Sequence, residues 1–319
     1  MKKVLITGIT GFAGSHLADL LVNEGTSTVA GTHVSDRHLK NLEGIKDKVQ
    51  LFSVNLLDSE KTAAIIGEFK PDVVYHLAAS TFVGDSFKKP AEFIANNVTA
   101  QVNVHEAIRQ HGLTDTKIIV ISSAHNYGLV RPEDLPIDEE TPFRPDNPYS
   151  VSKITQDYVG LTYFLAYKQH TVRLRPFNHI GPRLSPDISL SRFAKKIAEI
   201  EKGLDKPVLT VGNLESKRDF TDVRDMVKAY VQAAEKCIDG EAYNIGTGTS
   251  HTMRDVLDML ITLASVKIEV QSDPTLFRPS DIPELRCDAS KFKQATGWEP
   301  TIPLEQTLKD LLAYWREIV

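Results

Sequence analysis

The sequence predicts an α/β chain: a doubly wound parallel sheet carrying a smaller mixed α/β lobe at its C-terminal end. Three observations predict it. Short β-branched runs alternate with longer helical patterns through the first half, a glycine-rich turn joins the first run to the first helix, and the rhythm changes past Pro176. Apolar runs alternating with helices read as a parallel sheet covered on both faces. That is the doubly wound arrangement.

Taken in order, strand patterns fall at residues 4–7, 28–32, 49–54, 73–76 and 117–121, with helical patterns at 12–24, 59–69 and 90–111. Residues 131–148 hold five prolines and six acidic residues, which rules out a regular element and reads as a surface loop. A long helix at 149–168 and a strand at 172–175 follow. Later helices are expected at 189–202, 222–236, 252–264 and 304–318, with one more sheet strand at 242–245. In the last helix Leu304, Leu308, Leu311, Leu312 and Trp315 share one face, as core packing requires. The expected division is a dinucleotide-binding domain over 1–175 and a substrate lobe over 176–319, with about 220–246 returning to the first. A ligand would then lie in the cleft outside the carboxyl ends of the strands.

Composition narrows the classes. The chain has 319 residues, 41% of them hydrophobic, which is enough to bury one or two cores. A formal net charge of -5 gives no global attraction for nucleic acid or anionic lipid, so an anionic ligand must be held by local cations. The opening run Val4-Leu5-Ile6 is too short for a signal sequence. No apolar stretch approaches the ~20 residues that cross a bilayer. Cys237 and Cys287 are the only cysteines; they form no disulfide framework and no metal-ligand spacing, and read as buried small residues. A cytoplasmic setting without a metal site is the expectation.

Directly after the first strand comes Gly8-Ile9-Thr10-Gly11-Phe12-Ala13-Gly14, opening a helix. Glycine allows the tight turn and close backbone approach to a pyrophosphate, while the helix N-terminus supplies N–H groups and a positive dipole end. Gly8, Thr10, Gly11, Phe12, Ala13 and Gly14 are therefore candidate cofactor residues. The spacing is G-x-x-G-x-x-G, unlike the G-x-G-x-x-G of most dehydrogenases. The second strand ends at Gly31-Thr32-His33 without the acidic residue that would hold the ribose 2′-hydroxyl of NAD. Arg37 follows closely as a partner for the 2′-phosphate of NADP or as an ordinary surface cation. The cofactor expected is NADP or NAD, with a slight preference for NADP.

Tyr149 and Lys153 stand four apart at the start of a helix, so they share a face. A free tyrosine, with a pKa near 10, is a poor acid–base group at neutral pH. A neighbouring ammonium favours the phenolate and is expected to bring that pKa down. Ser123, after the strand ending at Ile121, can bond the substrate oxygen that Tyr149 protonates.

Gly8–Gly14, Ser123 and Tyr149-Ser-Val-Ser-Lys153 together resemble the extended short-chain dehydrogenase/reductase family, and the likeness runs over essentially the whole chain. It includes His76-Leu77-Ala78-Ala79 and Asn96-Asn97-Val98. The resemblance implies a Rossmann domain in which Tyr149 is the acid–base group, Lys153 also binds the nicotinamide ribose and Ser123 orients the reacting oxygen. It further implies that Leu77, Ala78, Ala79 and Asn97 form part of the cofactor site. Asn55, followed by Leu56, falls where the family usually has an aspartate near the adenine, which leaves that contact open. Family members commonly dimerise through helices corresponding to 90–111 and 149–168, so a homodimer is expected.

The C-terminal half carries Pro176-Phe177-Asn178-His179-Ile180-Gly181-Pro182, Val211–Asp219 and Arg278-Pro279-Ser280. These resemble the GDP-mannose branch, which holds 4,6-dehydratases and 4-keto-sugar reductases. The resemblance implies a GDP-linked sugar as substrate, its diphosphate held by Asn178, Arg218 and Arg278. Arginine's planar fork suits phosphate oxygens.

Dehydratases of this kind put a glutamate two residues after the Ser/Thr position, often behind an aspartate. Here Ala124 and His125 stand there, and alanine can do no acid–base work. Reduction of a 4-keto group needs only a hydride, the tyrosine and the serine. The expected reaction is therefore reduction of a GDP-4-keto-6-deoxy-hexose, with a dehydratase or 4-epimerase as the near alternative. A catalytically silent cofactor-binding module is the remote one. The reductase pattern itself has acidic residues at 125 and 126, from which His125-Asn126 departs. His125 is a candidate substrate contact.

Overall fold

The structure, a computed structural model, describes residues 1–277 and 282–319. The first half builds β1 (Lys2–Thr7), α1 (Phe12–Glu24), β2 (Ser27–His33), β3 (Gln50–Ser53), α2 (Ser59–Phe69), β4 (Val73–His76), α3 (Val83–Lys88), α4 (Pro90–Gln110) and β5 (Lys117–Ile121). Then come α5 (Pro148–Tyr167), β6 (Thr171–Pro176), β7 (Asn178–Ile180), α6 (Ser189–Glu201), β8 (Val208–Val211), β9 (Lys217–Asp222), α7 (Val223–Lys236) and β10 (Ala242–Ile245). The chain closes with β11 (Ser250–Thr252), α8 (Met253–Thr262), β12 (Glu269–Ser272), β13 (Glu284–Leu285), α9 (Ser290–Thr296) and α10 (Leu304–Ile318).

Seven parallel strands form one sheet in the order β10-β6-β5-β4-β1-β2-β3. The strand order reverses between β1 and β4, which opens a crevice at their carboxyl ends. Both sheet faces are covered. Leu17, Ala18 and Leu21 of α1 pack with Met226, Tyr230 and Ala233 of α7 on one face. Ile66 and Phe69 of α2 pack with Val104 and Ile108 of α4 on the other. Alternating apolar strands buried on both sides thus account for the doubly wound reading.

A second core lies outside this sheet. Phe193 and Ile197 of α6, Val256 and Leu260 of α8, and Leu308, Leu311, Leu312 and Trp315 of α10 enclose it, with Leu209 and Val211 of β8. Beside it β9 joins β11, β13 and β7, and β8 pairs with β12. These short strands carry no alternation long enough to read from sequence. The α3 turn, with six residues, was equally invisible.

One expectation needs correction. Residues 131–147 do not simply skirt the surface: Ile137 is fully buried beside Tyr127, Phe177 and Leu285. Arg175 donates to the Glu139 carbonyl (3.1 Å), and Asn244 donates from Nδ2 to the Ile137 carbonyl (3.0 Å) and from its backbone N–H to Glu139 Oε1 (2.6 Å). The prolines forbid a helix, and these polar anchors hold the loop inward. Among the described residues no helix is long and apolar enough to cross a membrane.

Candidate active site

The glycine turn sits at the crevice. Gly8 has φ +70°, and a Cβ there would meet the Ala78 Cα at 3.1 Å. At Gly14 a Cβ would lie 2.4 Å from the Gly8 carbonyl oxygen, so helix and strand approach too closely for any side chain. Gly11 caps α1 without a side-chain acceptor, leaving first-turn N–H groups to a ligand. Buried Thr10 turns its carbonyl to Asn41, which donates from Nδ2 at 2.9 Å. The cradle fits a dinucleotide pyrophosphate by its shape.

Around it stand the other expected cofactor residues. Leu77, Ala78 and Ala79 are half-buried just past β4, and the Ala78 N–H donates to Thr7 Oγ1 at 3.1 Å. Leu56 is buried; Asn55 is exposed and accepts from the Leu57 N–H through Oδ1 at 3.1 Å. A cavity of about 760 Å³ opens there, lined among others by Asn55, Leu57, Ser80, Asn96 and Thr99. Arg37 lies exposed in the seven-residue 3-10 helix after β2, close enough with Lys40 to help lower the pKa of His38, which burial lowers most.

Ser123, Tyr149 and Lys153 converge, all three buried. Asn147 caps α5 by accepting from the Ser150 N–H at 2.8 Å, and Pro148 opens its first turn, so Tyr149 begins the helix at the crevice. Lys153 follows one turn on. Its Nζ donates to the Ile121 carbonyl (2.8 Å), and Ser122 donates to the Lys153 carbonyl (3.1 Å). Burial raises the Tyr149 pKa, and only the hydrogen bond with the Ser123 hydroxyl opposes it. Burial lowers Lys153 to about 7. The direction is opposite to the one expected from the Tyr149–Lys153 spacing. Desolvation of the buried phenol sets the direction, and no charge on Lys153 enters among its causes.

Asn97 is fully buried on α4. It accepts from the Ser80 N–H (2.7 Å) and donates to the Ser80 carbonyl (3.0 Å) and Ser152 Oγ (2.9 Å). His125 and Asn126, left together by the sequence, separate here. Asn126 is buried and donates to Ser122 Oγ at 2.8 Å, so it serves the framework. His125 is half-buried and presents its ring edge-on to Tyr149, centroids 5.9 Å apart.

In the parallel β7–β9 pair Asn178 stands opposite Phe220. Alternation along a strand puts Arg218 on the same face as Phe220, so Asn178 and Arg218 share one face of the small sheet. Asn178 Oδ1 is buried without a hydrogen-bond partner. Arg218 donates to the carbonyls of Lys217 (2.8 Å) and Ile282 (2.7 Å). Arg278, the third expected phosphate contact, lies outside the described residues. Among the described residues no group of three His, Cys, Asp or Glu could hold a metal ion.

Sequence reasoning missed the polar residues that hold this geometry. Thr7 Oγ1 meets His76 Nδ1 at 3.0 Å, and Gln156 donates to the Asn97 carbonyl at 3.0 Å. Asp157 pairs with Arg173 (2.6 Å) and Arg175 (2.9 Å) without exposure to solvent. A signal did exist. Tyr149, Ser152, Lys153, Gln156 and Asp157 form a polar stripe at helical spacing, and the structure buries it where a packed helix normally presents apolar residues.

Comparison with known proteins agrees with this arrangement. The family model described as GDP-mannose 4,6 dehydratase matches residues 5–311. The chain is 30% identical over 318 residues to a GDP-6-deoxy-D-mannose reductase of Pseudomonas aeruginosa, covering 100% of this chain and 98% of that one. It is 29% identical to a GDP-mannose 4,6-dehydratase of Vibrio cholerae, covering 98% and 93%. Among solved structures, RMD from Pseudomonas aeruginosa complexed with NADPH superposes with a TM-score of 0.85 at 29% identity, covering all of both chains. A UDP-glucose 4-epimerase of Thermus thermophilus in complex with NAD gives 0.88 at 29% identity over 99% of this chain and 100% of that one. The glycine cradle, the buried Ser–Tyr–Lys group and a match spanning nearly every residue lead to one conclusion: the chain belongs to the GDP-mannose 4,6-dehydratase family of extended short-chain dehydrogenase/reductases.

Proposed function

We propose that the protein reduces the 4-keto group of a GDP-4-keto-6-deoxy-hexose with NADPH or NADH, giving a GDP-6-deoxy-hexose such as GDP-D-rhamnose. The observation that carries this reading is a buried Ser123–Tyr149–Lys153 group beside Ala124 and His125, with no carboxylate where elimination of water would need one. The 30% identity to a GDP-6-deoxy-D-mannose reductase supports it.

When bound on the glycine cradle, a nicotinamide cofactor would supply the hydride that reduction at C4 requires. Ser123 donates to the carbonyl oxygen and fixes its direction. Tyr149 donates its phenolic proton to the same oxygen as negative charge develops there, when that interaction is worth most. Lys153, already desolvated, offers a cation beside the phenolate that Tyr149 becomes. Gly8–Gly14, with Asn97 and the 77–79 segment, hold the cofactor. Asn178 and Arg218, with Arg278, hold the sugar-nucleotide diphosphate. His125 faces the sugar next to Tyr149.

Arg37 and Lys40 place positive charge after β2, which favours a 2′-phosphate and hence NADPH. Val151, Tyr158 and Leu165, seven residues apart along α5, lie exposed on one face of that helix, which suits a homodimer through this helix and α4. Two unpaired, buried thiols agree with a reducing cytoplasmic setting. The test offers GDP-mannose and pre-formed GDP-4-keto-6-deoxymannose separately, following nicotinamide absorbance and product NMR. Stoichiometric oxidation of NADPH or NADH with the keto sugar, and none with GDP-mannose, is expected. Conversion of GDP-mannose to a keto sugar without net cofactor use would instead identify a dehydratase.

A further inference from the structure

Strand β7 is only three residues long, yet its neighbouring side chains serve two different parts of the molecule. Asn178 shares a face with Arg218 on the small sheet. His179, the next residue, lies flat against Phe12, the first residue of α1, with ring centroids 5.7 Å apart and planes within 5°. Such offset stacking of aromatic rings is worth roughly 0.5–1.5 kcal/mol beyond area burial.

The contact continues along α1. His16 sits edge-on to the same Phe12 ring at 5.7 Å, and its Nε2–H donates to the Pro182 carbonyl at 2.9 Å. A carbonyl can only accept, which fixes the His16 tautomer as the Nε2–H form. Burial pushes His16 down to about 4, and also lowers His179, so both rings are neutral at physiological pH. Arg183, in the left-handed region with φ 70°, reaches back to Asp19 (2.6 Å) and Ser15 (3.3 Å). Ser15 in turn donates to the Phe12 carbonyl at 3.0 Å. Residues 179–183 therefore clasp the first two turns of the helix whose N-terminus faces the cofactor pyrophosphate.

We propose that β7 couples the two ligand sites, with His179 as the positioning residue through which each site stabilises the other. The proposal rests on the reading that Asn178 contacts the GDP moiety. A ligand that holds Asn178 fixes β7, and the His179 ring then holds Phe12 and the first-turn N–H groups in the geometry a pyrophosphate needs. A cofactor on those N–H groups fixes β7 from the other side. Linkage makes the effect reciprocal, and site–site coupling typically amounts to about 5–150-fold in affinity.

The experiment titrates the full chain by calorimetry with NADPH and with GDP, each alone and each in saturating concentrations of the other. GDP binding is expected to tighten NADPH by at least about 5-fold, and NADPH to tighten GDP by the same factor. In His179→Ala the ratio falls toward one. In His179→Phe, which keeps an aromatic ring against Phe12, the ratio is retained. Asp19→Ala, which releases Arg183 at the half-exposed rim, gives a smaller ratio and serves if His179→Ala does not fold. GDP that binds without altering NADPH affinity, or a ratio unchanged in a folded His179→Ala or Asp19→Ala, overturns the coupling while leaving the sugar-nucleotide reading intact. No GDP binding at all overturns that reading, and the coupling with it.

Discussion

Lys153 donates from Nζ to the carbonyl of Ile121 across 2.8 Å, tying α5 to the end of the strand that leads into Ser123. The ammonium is held by a backbone carbonyl in a buried site, and its ionisation is coupled to folding.

That coupling has a sign. Burial lowers the Lys153 pKa from 10.5 to about 7, so between those values the unfolded chain binds a proton that the folded chain does not. Stability contributed at this residue therefore rises with pH from about 7 to about 10.5. Lys153→Met removes the term. The melting temperature of the variant should exceed that of the ligand-free wild type most at pH 7 and converge on it towards pH 10. A constant difference across that range would mean that Lys153 stays charged throughout.

Tyr149→Phe is expected to lower kcat by roughly 10²–10⁴-fold, the usual worth of general acid catalysis. NADPH affinity, read by fluorescence titration, should stay nearly unchanged, because the hydroxyl is needed only as charge develops on the substrate oxygen. A variant keeping more than about half of the wild-type rate would assign the acid elsewhere.

Gly14→Ala puts a methyl group 2.4 Å from the Gly8 carbonyl oxygen, where only backbone can move aside. The overpacking should cost about 1–3 kcal/mol and weaken NADPH binding, since Gly8 shapes the cradle. Chemical denaturation and a cofactor titration measure both effects. Wild-type values for each would refute the close-approach account.

Arg218→Ala and Asn178→Ala separate binding from framework. Arg218 braces the Ile282 carbonyl, so its loss should lower the melting temperature as well as raise KM for the sugar nucleotide. Asn178, whose Oδ1 has no internal partner, should raise KM with little change in stability. Charge-assisted hydrogen bonds are worth about 1.5–3 kcal/mol. The two KM effects should add to less than their sum if both residues hold one diphosphate. An unchanged KM in both single variants would move the diphosphate site.

Asp157→Asn leaves Arg173 and Arg175 buried without their carboxylate, which should cost about 3–5 kcal/mol in urea unfolding. Burial opposes ionisation of Asp157, but the two arginines outweigh it and hold its pKa below the ordinary 3.8. Its contribution is thus present above that value and lost as the pH falls further below it. The Asn variant should show a flatter loss of stability on acidification, and an unaltered acid limb would count against the pairing.

The parallel sheet, the glycine cradle and the Ser123–Tyr149–Lys153 group were legible in the sequence because each depends on local spacing. A period of two or 3.6, a turn that excludes side chains, and residues one helical turn apart are all fixed by backbone geometry. Other features depend on segments far apart in the chain, and only the tertiary structure decided them. The sign of the Tyr149 shift followed from burial, which no i,i+4 spacing reports. Asn126 and His125 are neighbours in sequence, yet one turns into the framework and the other towards the phenol. The loop at 131–147 looked like surface until Arg175 and Asn244 drew it inward. His179 on Phe12 joins residues 167 positions apart, and such a contact exists only once β7 has been laid against α1 by the packing of two separate cores.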